Sequence, residues 1–334
     1  MLPPQKAREP RRHFVIESEA SRRIRRPMAT TILAAPFQIS VPVAMCSAGI
    51  VLFLIGLWAA KDDIAKARGL DKIVALDNLC FAIPLAVFGA LHLSDAQSLM
   101  TLVPRYMPEP KFWAYFVGCA LIAASLSIAT KIQVRWSGLL FGLMMFSFVA
   151  MIHFPGALRQ PHNRIIWMVV FREMSFGGAG WVLAASAKDA WSGPAKSTLL
   201  TVGRVLVAIT AVVFGIEHFF HPTGLPGVPL VKQMPEWIPG LVRVLIDDVT
   251  GAALLLVAAS ILLNRKTRTV ATCVGGWIVL LVLVIYGPVL IHALSDPAIP
   301  IEIEGINYFA DTLLFAGALL SVASAAGLSD LKTK

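Results

Sequence analysis

Cysteine is scarce in this sequence, with four residues in 334, and no two of them form a Cys-x-x-Cys pair. Each falls singly inside an apolar segment, at Cys46, Cys80, Cys119 and Cys273. This spacing gives no support to a disulfide framework or a zinc site, and small apolar packing residues are the simpler interpretation. The sequence also lacks a Gly-x-Gly-x-x-Gly motif. It therefore supplies no recognisable electron carrier of its own.

Charge is scarce too, at 15% of residues against 57% hydrophobic, and the mean hydropathy of +0.73 excludes an ordinary soluble globular protein. A helix needs about 20 mostly apolar residues to cross a bilayer. Nine segments meet this need, namely 42–60, 73–93, 112–130, 136–154, 166–186, 199–220, 240–263, 269–291 and 306–327. The loops between them are too short to fold independently, which excludes a separate soluble catalytic domain.

The net charge of +9 follows the pattern of a membrane protein and not that of a nucleic-acid-binding protein. Lys and Arg concentrate in the C-terminal tail and in the loops after the first, third, fifth and seventh segments, for example at Lys61, Lys131 and Arg265. Cationic loops stay on the cytoplasmic side. The sequence therefore predicts a multi-pass protein of a bacterial cytoplasmic (inner) membrane, with no nucleic-acid partner and with the lipid bilayer as its surroundings.

The last eight apolar segments form two similar sets of four. Residues of the first set recur in the second at an offset that rises from 126 to 138 where loops can absorb insertions. The matches are Phe88, Gly89 and His92 with Phe214, Gly215 and His218; Pro104, Tyr106 and Pro108 with Pro235, Trp237 and Pro239; Gly118 and Pro155 with Gly251 and Pro288; and Phe171 and Glu173 with Phe309 and Asp311. The sequence predicts an all-α polytopic transmembrane bundle of two parallel four-helix repeats plus one extra N-terminal helix.

This pattern divides the chain into a basic tail at 1–40, an extra transmembrane helix at 41–61, and repeats at 62–190 and 191–334. The tail conflicts with the predicted topology, because its arginines favour the cytoplasm while the loop charges put the N-terminus outside. Either translation starts at Met28, or the first apolar segment does not span. The first alternative is favoured, because the stretch from Val43 to Ala60 is long enough to cross and uncharged.

Ionisable side chains inside apolar segments are costly, so they usually face a bundle interior or an aqueous cavity. His92 and His218 end the first helix of each repeat, and Glu217 precedes His218. Glu173 and Asp311 hold matched positions in the fourth helices. Arg172 is expected to pair across helices, because neighbours on one helix point about 100° apart. We expect His92, Glu217, His218, Glu173, Asp311 and Arg172 to form one ligand or proton site near the outer face. The alternative is that Glu173 and Asp311 make a structural interhelical hydrogen bond or salt bridge that holds the two repeats together.

Further polar residues allow more specific interpretations. Arg243 and Asp247, four residues apart, are expected to neutralise each other locally. His92 and His218, with His153 as a third imidazole, could ligate haem, but haem is disfavoured because a histidine at a helix end is more often an interfacial hydrogen-bonding group. The turns around Tyr106 and Trp237 are stiffened by flanking prolines. They are either interfacial anchors or lids over an outer cavity.

At these residues the chain resembles the DoxX/DoxD-like family of integral membrane proteins. The matching features are Phe88-Gly89-Ala90-Leu91-His92, the turn Val103-Pro104-Arg105-Tyr106-Met107-Pro108, Phe112-Trp113 and Gly118. The unit at 73–186 fits best and the unit at 199–327 more loosely. The resemblance implies a four-helix fold and, as in some relatives, a role as the membrane subunit of a thiosulfate:quinone or other quinone-linked oxidoreductase.

The functional expectation is a membrane subunit that binds a quinone or a small sulfur substrate in an outward-facing cavity. His92 and His218 would hydrogen-bond the quinone oxygens, Glu173 or Asp311 would accept the released proton, and Arg172 would stabilise an anion. A soluble or membrane redox partner protein would supply the electron carrier. The alternative is a non-enzymatic small-molecule transporter or a membrane assembly factor.

Overall fold

The structure, a computed structural model, describes residues 39–228 and 232–330, without the side chains of 328–330. The predicted start at Met28 and nearly all of the basic tail lie outside the described residues. Each predicted apolar segment is helical. The helices are α1 (Val41–Lys66), α2 (Asp71–Val74), α3 (Asp77–Ser94), α4 (Ala96–Leu99), α5 (Pro110–Thr130), α6 (Val134–Phe148), α7 (Phe154–Arg159), α8 (Arg164–Ser186), α9 (Pro194–Phe220), α10 (Gly240–Leu262), α11 (Thr267–Leu281), α12 (Gly287–Leu294) and α13 (Ile299–Asp330).

Eight helical stretches among the described residues are long and apolar enough to cross a membrane. They correspond to all the predicted segments except 166–186, which forms α8. That helix has 23 residues, but the adjacent charges of Arg172 and Glu173 lower its hydropathy. Its neighbours are α6, α9 and α13, so these charges lie within the bundle. The all-α polytopic fold class is therefore confirmed, while α8 reaches membrane-spanning length without the composition.

The centre of the bundle is α13. Of its most apolar 18-residue window, 89% is buried, against 22% for the stretch Val134–Arg159. It packs against α3, α8 and α11, and Phe315 at its middle is fully buried against Phe214 of α9. By contrast, α1 exposes Ile50, Leu54 and Trp58. Exposed apolar side chains of this kind suit contact with lipid acyl chains.

The two predicted repeats share close helix crossings at matched glycines. A Cβ on Gly89 would lie 3.1 Å from the carbonyl oxygen of Gly118, and a Cβ on Gly215 would lie 2.9 Å from that of Gly251. Gly118 and Gly251 would each place a Cβ 3.0 Å from the Cβ of the histidine that ends the partner helix. Small residues let helices in a membrane approach closely. The duplication itself stays a prediction.

A π-helical turn interrupts the third long helix of each set. Val149–His153 separates α6 from α7, and Val282–Tyr286 separates α11 from α12. The two turns are 133 residues apart, the same offset as Gly118 and Gly251, and a proline follows each of them. Such turns occur often at functional sites, because they redirect side chains without ending the helix.

Gly138 is expected to tolerate no side chain. A Cβ there would collide with the carbonyl oxygen of Gly180 and would lie 2.9 Å from the backbone nitrogen of Ala184. We expect Gly138→Ala to lower the free energy of unfolding by about 1–3 kcal/mol, because the backbones of α6 and α8 would have to separate. Thermal unfolding in detergent would measure this loss. The matched control is Gly156→Ala, whose added Cβ would meet only a side-chain atom of Ile166 at 3.8 Å; equal losses in the two variants would contradict the prediction.

Candidate functional site

A cavity of about 470 Å³ lies between α3, α5, α6, α8 and α13. We call it the central cavity. Its wall is mainly apolar and includes Phe88, Phe141, Phe148 and Phe176. Its polar residues are His92, Arg172, Glu173, Glu304, Asn307, Tyr308 and Asp311. An apolar enclosure with a few converging polar groups is typical of small-molecule sites.

Arg172, Glu173 and Asp311, which we call the Arg172 cluster, lie together on the wall of the central cavity. Arg172 Nη1 donates a hydrogen bond of 2.6 Å to Asp311 Oδ2, whereas its Nη2 lies 4.0 Å from Glu173 Oε1. The three side chains are 10–16% exposed. The prediction that Arg172 pairs across helices is confirmed. One guanidinium thus lies between two carboxylates, which leaves the cluster with excess negative charge when all three groups are ionised.

Glu173 retains free hydrogen-bonding capacity inside the bundle. Its Oε1 lies 3.7 Å from His153 Nε2, while its Oε2 is buried and has no hydrogen-bond partner. His153, which the sequence offered only as a haem ligand, is thereby a neighbour of the Arg172 cluster. Arg172 Nε is also buried without a partner. Unpartnered buried polar atoms are rare in native proteins and call for an explanation such as a ligand.

His92 lines the central cavity with its ring orientation set by its own helix. Its Nδ1 lies 2.8 Å from the carbonyl oxygen of Phe88, one turn earlier. A carbonyl oxygen only accepts, so Nδ1 carries the hydrogen and Nε2 of the neutral ring is an acceptor. Within the described residues Nε2 makes no hydrogen bond. His92 therefore offers the cavity an acceptor.

Sequence reasoning missed three residues of the central cavity on α13. Glu304, Asn307 and Tyr308 precede Asp311 by seven, four and three residues, a spacing that places them on one helix face. That spacing was a signal that could have identified them. The Tyr308 hydroxyl donates to Glu304 Oε1 at 2.5 Å, and Lys232 Nζ lies 3.8 Å from the same oxygen. This group lies nearer the N-terminus of α13 than the Arg172 cluster does.

His218 lies away from the central cavity, in the interior of the second half. Its Nδ1 is 2.5 Å from Asp247 Oδ1, and its Nε2 accepts the backbone N–H of Gly227 at 3.2 Å. This corrects the prediction that His92 and His218 flank one shared cavity. It also removes His218 as a haem ligand, because both ring nitrogens are already bonded.

The predicted local pair between Arg243 and Asp247 is not formed. Asp247 bonds His218 instead, and Arg243 donates to the carbonyl oxygen of Met234 at 3.5 Å.

The remaining predicted site residues lie outside the central cavity. Glu217 pairs with Arg164 at 2.5 Å and with His221 at 3.1 Å, where α8 begins and α9 ends. Tyr106 and Trp237 are 72% and 60% exposed. Trp237 lines a separate cavity of about 400 Å³ with Leu225 and His292. The structure thus brings together His92, Arg172, Glu173 and Asp311, and separates them from Glu217, His218, Tyr106 and Trp237.

The fold and the central cavity define the class of protein: a multi-pass, all-helical integral membrane protein with a partly polar cavity inside its bundle. Among the described residues, no group of three or more His, Cys, Asp and Glu side chains is placed to hold a metal ion. In comparisons with known proteins the chain matches no family model, no curated protein and no solved structure. The DoxX/DoxD-like resemblance therefore stays a prediction.

Proposed function

We propose that this membrane protein binds a quinone-type molecule from the bilayer in the central cavity, as a DoxX/DoxD-like membrane subunit of a quinone-linked oxidoreductase in a bacterial cytoplasmic membrane. The observation that carries the proposal is the amphipathic character of this cavity. Aromatic rings such as Phe88, Phe148 and Phe176 suit a planar ring, and the Arg172 cluster and His92 supply polar contacts at its edge. A lipid-soluble ligand could reach such a cavity without a soluble domain.

The cluster supports separate roles for its members in the oxidation of a quinol. Oxidation of a quinol to a quinone releases two protons and two electrons. Glu173 is the better proton acceptor, because its Oε2 is unpartnered whereas Asp311 Oδ2 already holds Arg172. Arg172 would stabilise the anion formed as a hydroxyl loses its proton. The electrons would pass to the redox centre of a partner protein, since this chain has no recognisable carrier.

Filling the cavity tests the proposal. Met145 lines it, and Leu143 on the same helix is 47% exposed on the outer surface. We expect Met145→Trp to weaken binding of a short-chain benzoquinone by at least about tenfold, because the indole occupies the ligand's space. Leu143→Trp is the matched control and should bind as the wild type does. Binding would be measured by titration of protein in lipid nanodiscs, and unchanged binding by Met145→Trp would refute this site.

One observation favours transport as a second candidate function. The π-helical turn Val149–His153 places His153 beside Glu173, and local helix irregularities of this kind are common where membrane proteins rearrange. A transporter would move a solute across proteoliposomes that lack any redox partner. Uptake under those conditions, with no bound quinone, would favour transport over the redox proposal.

A further inference from the structure

In the loop between α9 and α10, the described residues 221–228 and 232–239 include side chains that pack inside the protein. We call this loop the inserted loop. The offset between matched residues rises from 126 at His218 to 131 at Pro235, so this loop is five residues longer than its counterpart. Gly224 pairs with Gln233 in an isolated antiparallel bridge, and Leu225, Val228 and Met234 are each 1% exposed. Apolar residues of the inserted loop are therefore packed in the core.

Two hydrogen bonds hold Pro226 and Gly227 in place. The Gly227 N–H donates to His218 Nε2 at 3.2 Å, and the Tyr286 hydroxyl donates to the Pro226 carbonyl oxygen at 2.8 Å. A Cβ on Gly227 would lie 3.5 Å from Ile278 Cδ1 and 3.0 Å from Thr312 Cγ2. The backbone of the inserted loop thus occupies the interior of the second half.

The residues that contact Pro226 and Gly227 hold sequence positions equivalent to those of residues at or beside the central cavity. By the offsets above, His218 corresponds to His92, Ile278 to Met145, and Tyr286 to His153. His92 and Met145 line the central cavity, and His153 lies beside Glu173. The inserted loop therefore packs, in the second half, against the residues whose matched counterparts surround the central cavity in the first half. Its Gly227 N–H shows that the Nε2 atom of the matched histidine, His218, is bonded to a hydrogen-bond donor.

Both histidines offer that space the same kind of atom. In each ring Nδ1 is engaged by an oxygen, from Asp247 at His218 and from Phe88 at His92, which leaves Nε2 as an acceptor. At His218 the acceptor receives the N–H of Gly227. At His92 no group among the described residues fills this role. A ligand of the central cavity thus satisfies His92 only by donating a hydrogen.

Other unpartnered atoms on the cavity residues also favour a ligand that donates hydrogen bonds. Glu173 Oε2 and Asn307 Oδ1 are buried acceptors without partners, and Arg172 Nε is a buried donor without one. The two carbonyl oxygens of an oxidised quinone only accept hydrogen bonds, so they would provide a partner for Arg172 Nε and none for the unpartnered acceptors. The two hydroxyl groups of a quinol can donate to His92 and Glu173. An unmet buried acceptor costs free energy, so a ligand lacking donors is penalised.

We propose that the central cavity selects the reduced, hydroxyl-bearing form of its ligand, a quinol, through an O–H group donated to His92 Nε2. This inference rests on the proposed function and specifies its substrate as the quinol. It also changes the role expected of His92, which accepts a hydrogen bond from the ligand where the sequence interpretation had it hydrogen-bond a quinone oxygen.

The test compares three forms of one ring on the full chain in nanodiscs: a short-chain benzoquinol under anaerobic reduction, the corresponding quinone, and the quinol dimethyl ether, which has no hydroxyl hydrogen. We expect the wild type to bind the quinol about tenfold more tightly than the other two. His92→Leu should weaken quinol binding about tenfold and change quinone binding less than about twofold. His92→Gln, whose amide oxygen keeps an acceptor, should restore part of the loss.

The control variant is His162→Leu, because His162 is an exposed histidine of an outer loop. It should leave all three affinities unchanged. Equal wild-type affinities for the quinol and its dimethyl ether would overturn the selectivity and leave the proposed function standing. Failure of every form to bind would overturn both. The wild-type comparison needs no substitution, so it decides the question even if His92→Leu folds poorly.

Discussion

His218→Leu is expected to lower the free energy of unfolding by about 3 kcal/mol, because it leaves the buried Asp247 carboxylate without its hydrogen-bond donor. The Asp247 carboxylate is 0% exposed and would lose the imidazole at its Oδ1. The Gly227 N–H would also lose its acceptor, which would release the inserted loop from α9. Thermal or denaturant unfolding in detergent measures the change.

Two controls isolate this pair. His221→Leu removes a histidine that is 45% exposed and one turn away, so it should cost little. Asp247→Asn keeps an oxygen acceptor for the Nδ1–H of His218 and should cost less than Asp247→Leu. The prediction fails if His218→Leu is no more destabilising than His221→Leu, because the pair would then contribute nothing to the fold.

Arg172→Met is the second substitution with a large expected effect. Methionine has a similar length but no charge, so Asp311 loses its 2.6 Å partner while Asp311 and Glu173 remain in the bundle. The expected loss is about 3–5 kcal/mol in the free energy of unfolding. Ligand binding in the central cavity should fall in parallel, because the cluster lines that cavity. Unfolding and binding titrations on the same sample measure both effects.

The double variant Arg172→Met/Asp311→Asn separates charge from packing. Removal of the uncompensated carboxylate should recover part of the stability. Arg105→Met, at an exposed arginine between α4 and α5, is the matched control and should leave stability within about 0.5 kcal/mol of the wild type. If the double variant is no more stable than Arg172→Met, the loss comes from packing and not from an unpaired charge.

Helix positions were predictable because the length of an apolar run is a local property. The expected segment 112–130 is observed as Pro110–Thr130, and 240–263 as Gly240–Leu262. The cross-helix pairing of Arg172 was predictable for a similar reason, since neighbours on one helix point about 100° apart and Arg172 Nη2 comes no closer than 4.0 Å to Glu173 Oε1. Its partner Asp311 follows it by 139 residues, and nothing local in the sequence selects that partner among the acids of the other helices.

The wrong prediction that His218 shares a cavity with His92 shows that local sequence patterns do not determine the surroundings of a residue. His92 and His218 occupy matched positions, so the sequence treated them as one site, and it assigned Asp247 to Arg243 because the two are one turn apart. In the fold, Asp247 and the inserted loop enclose His218, whereas His92 faces an open cavity. The increase in offset after His218 was the sequence signal of this difference. It gave the length of the insertion and not the direction in which the loop folds.

The sequence by itself determined that this protein is helical, lies in a membrane and carries costly charged groups inside apolar segments, because hydrophobic length and charge placement are fixed residue by residue. Only the tertiary structure decided that His92 lines the central cavity whereas Asp247 and the inserted loop enclose His218. That outcome depends on contacts between distant residues, such as Gly227 with His218 and Arg172 with Asp311. Similar local motifs can therefore end in different surroundings.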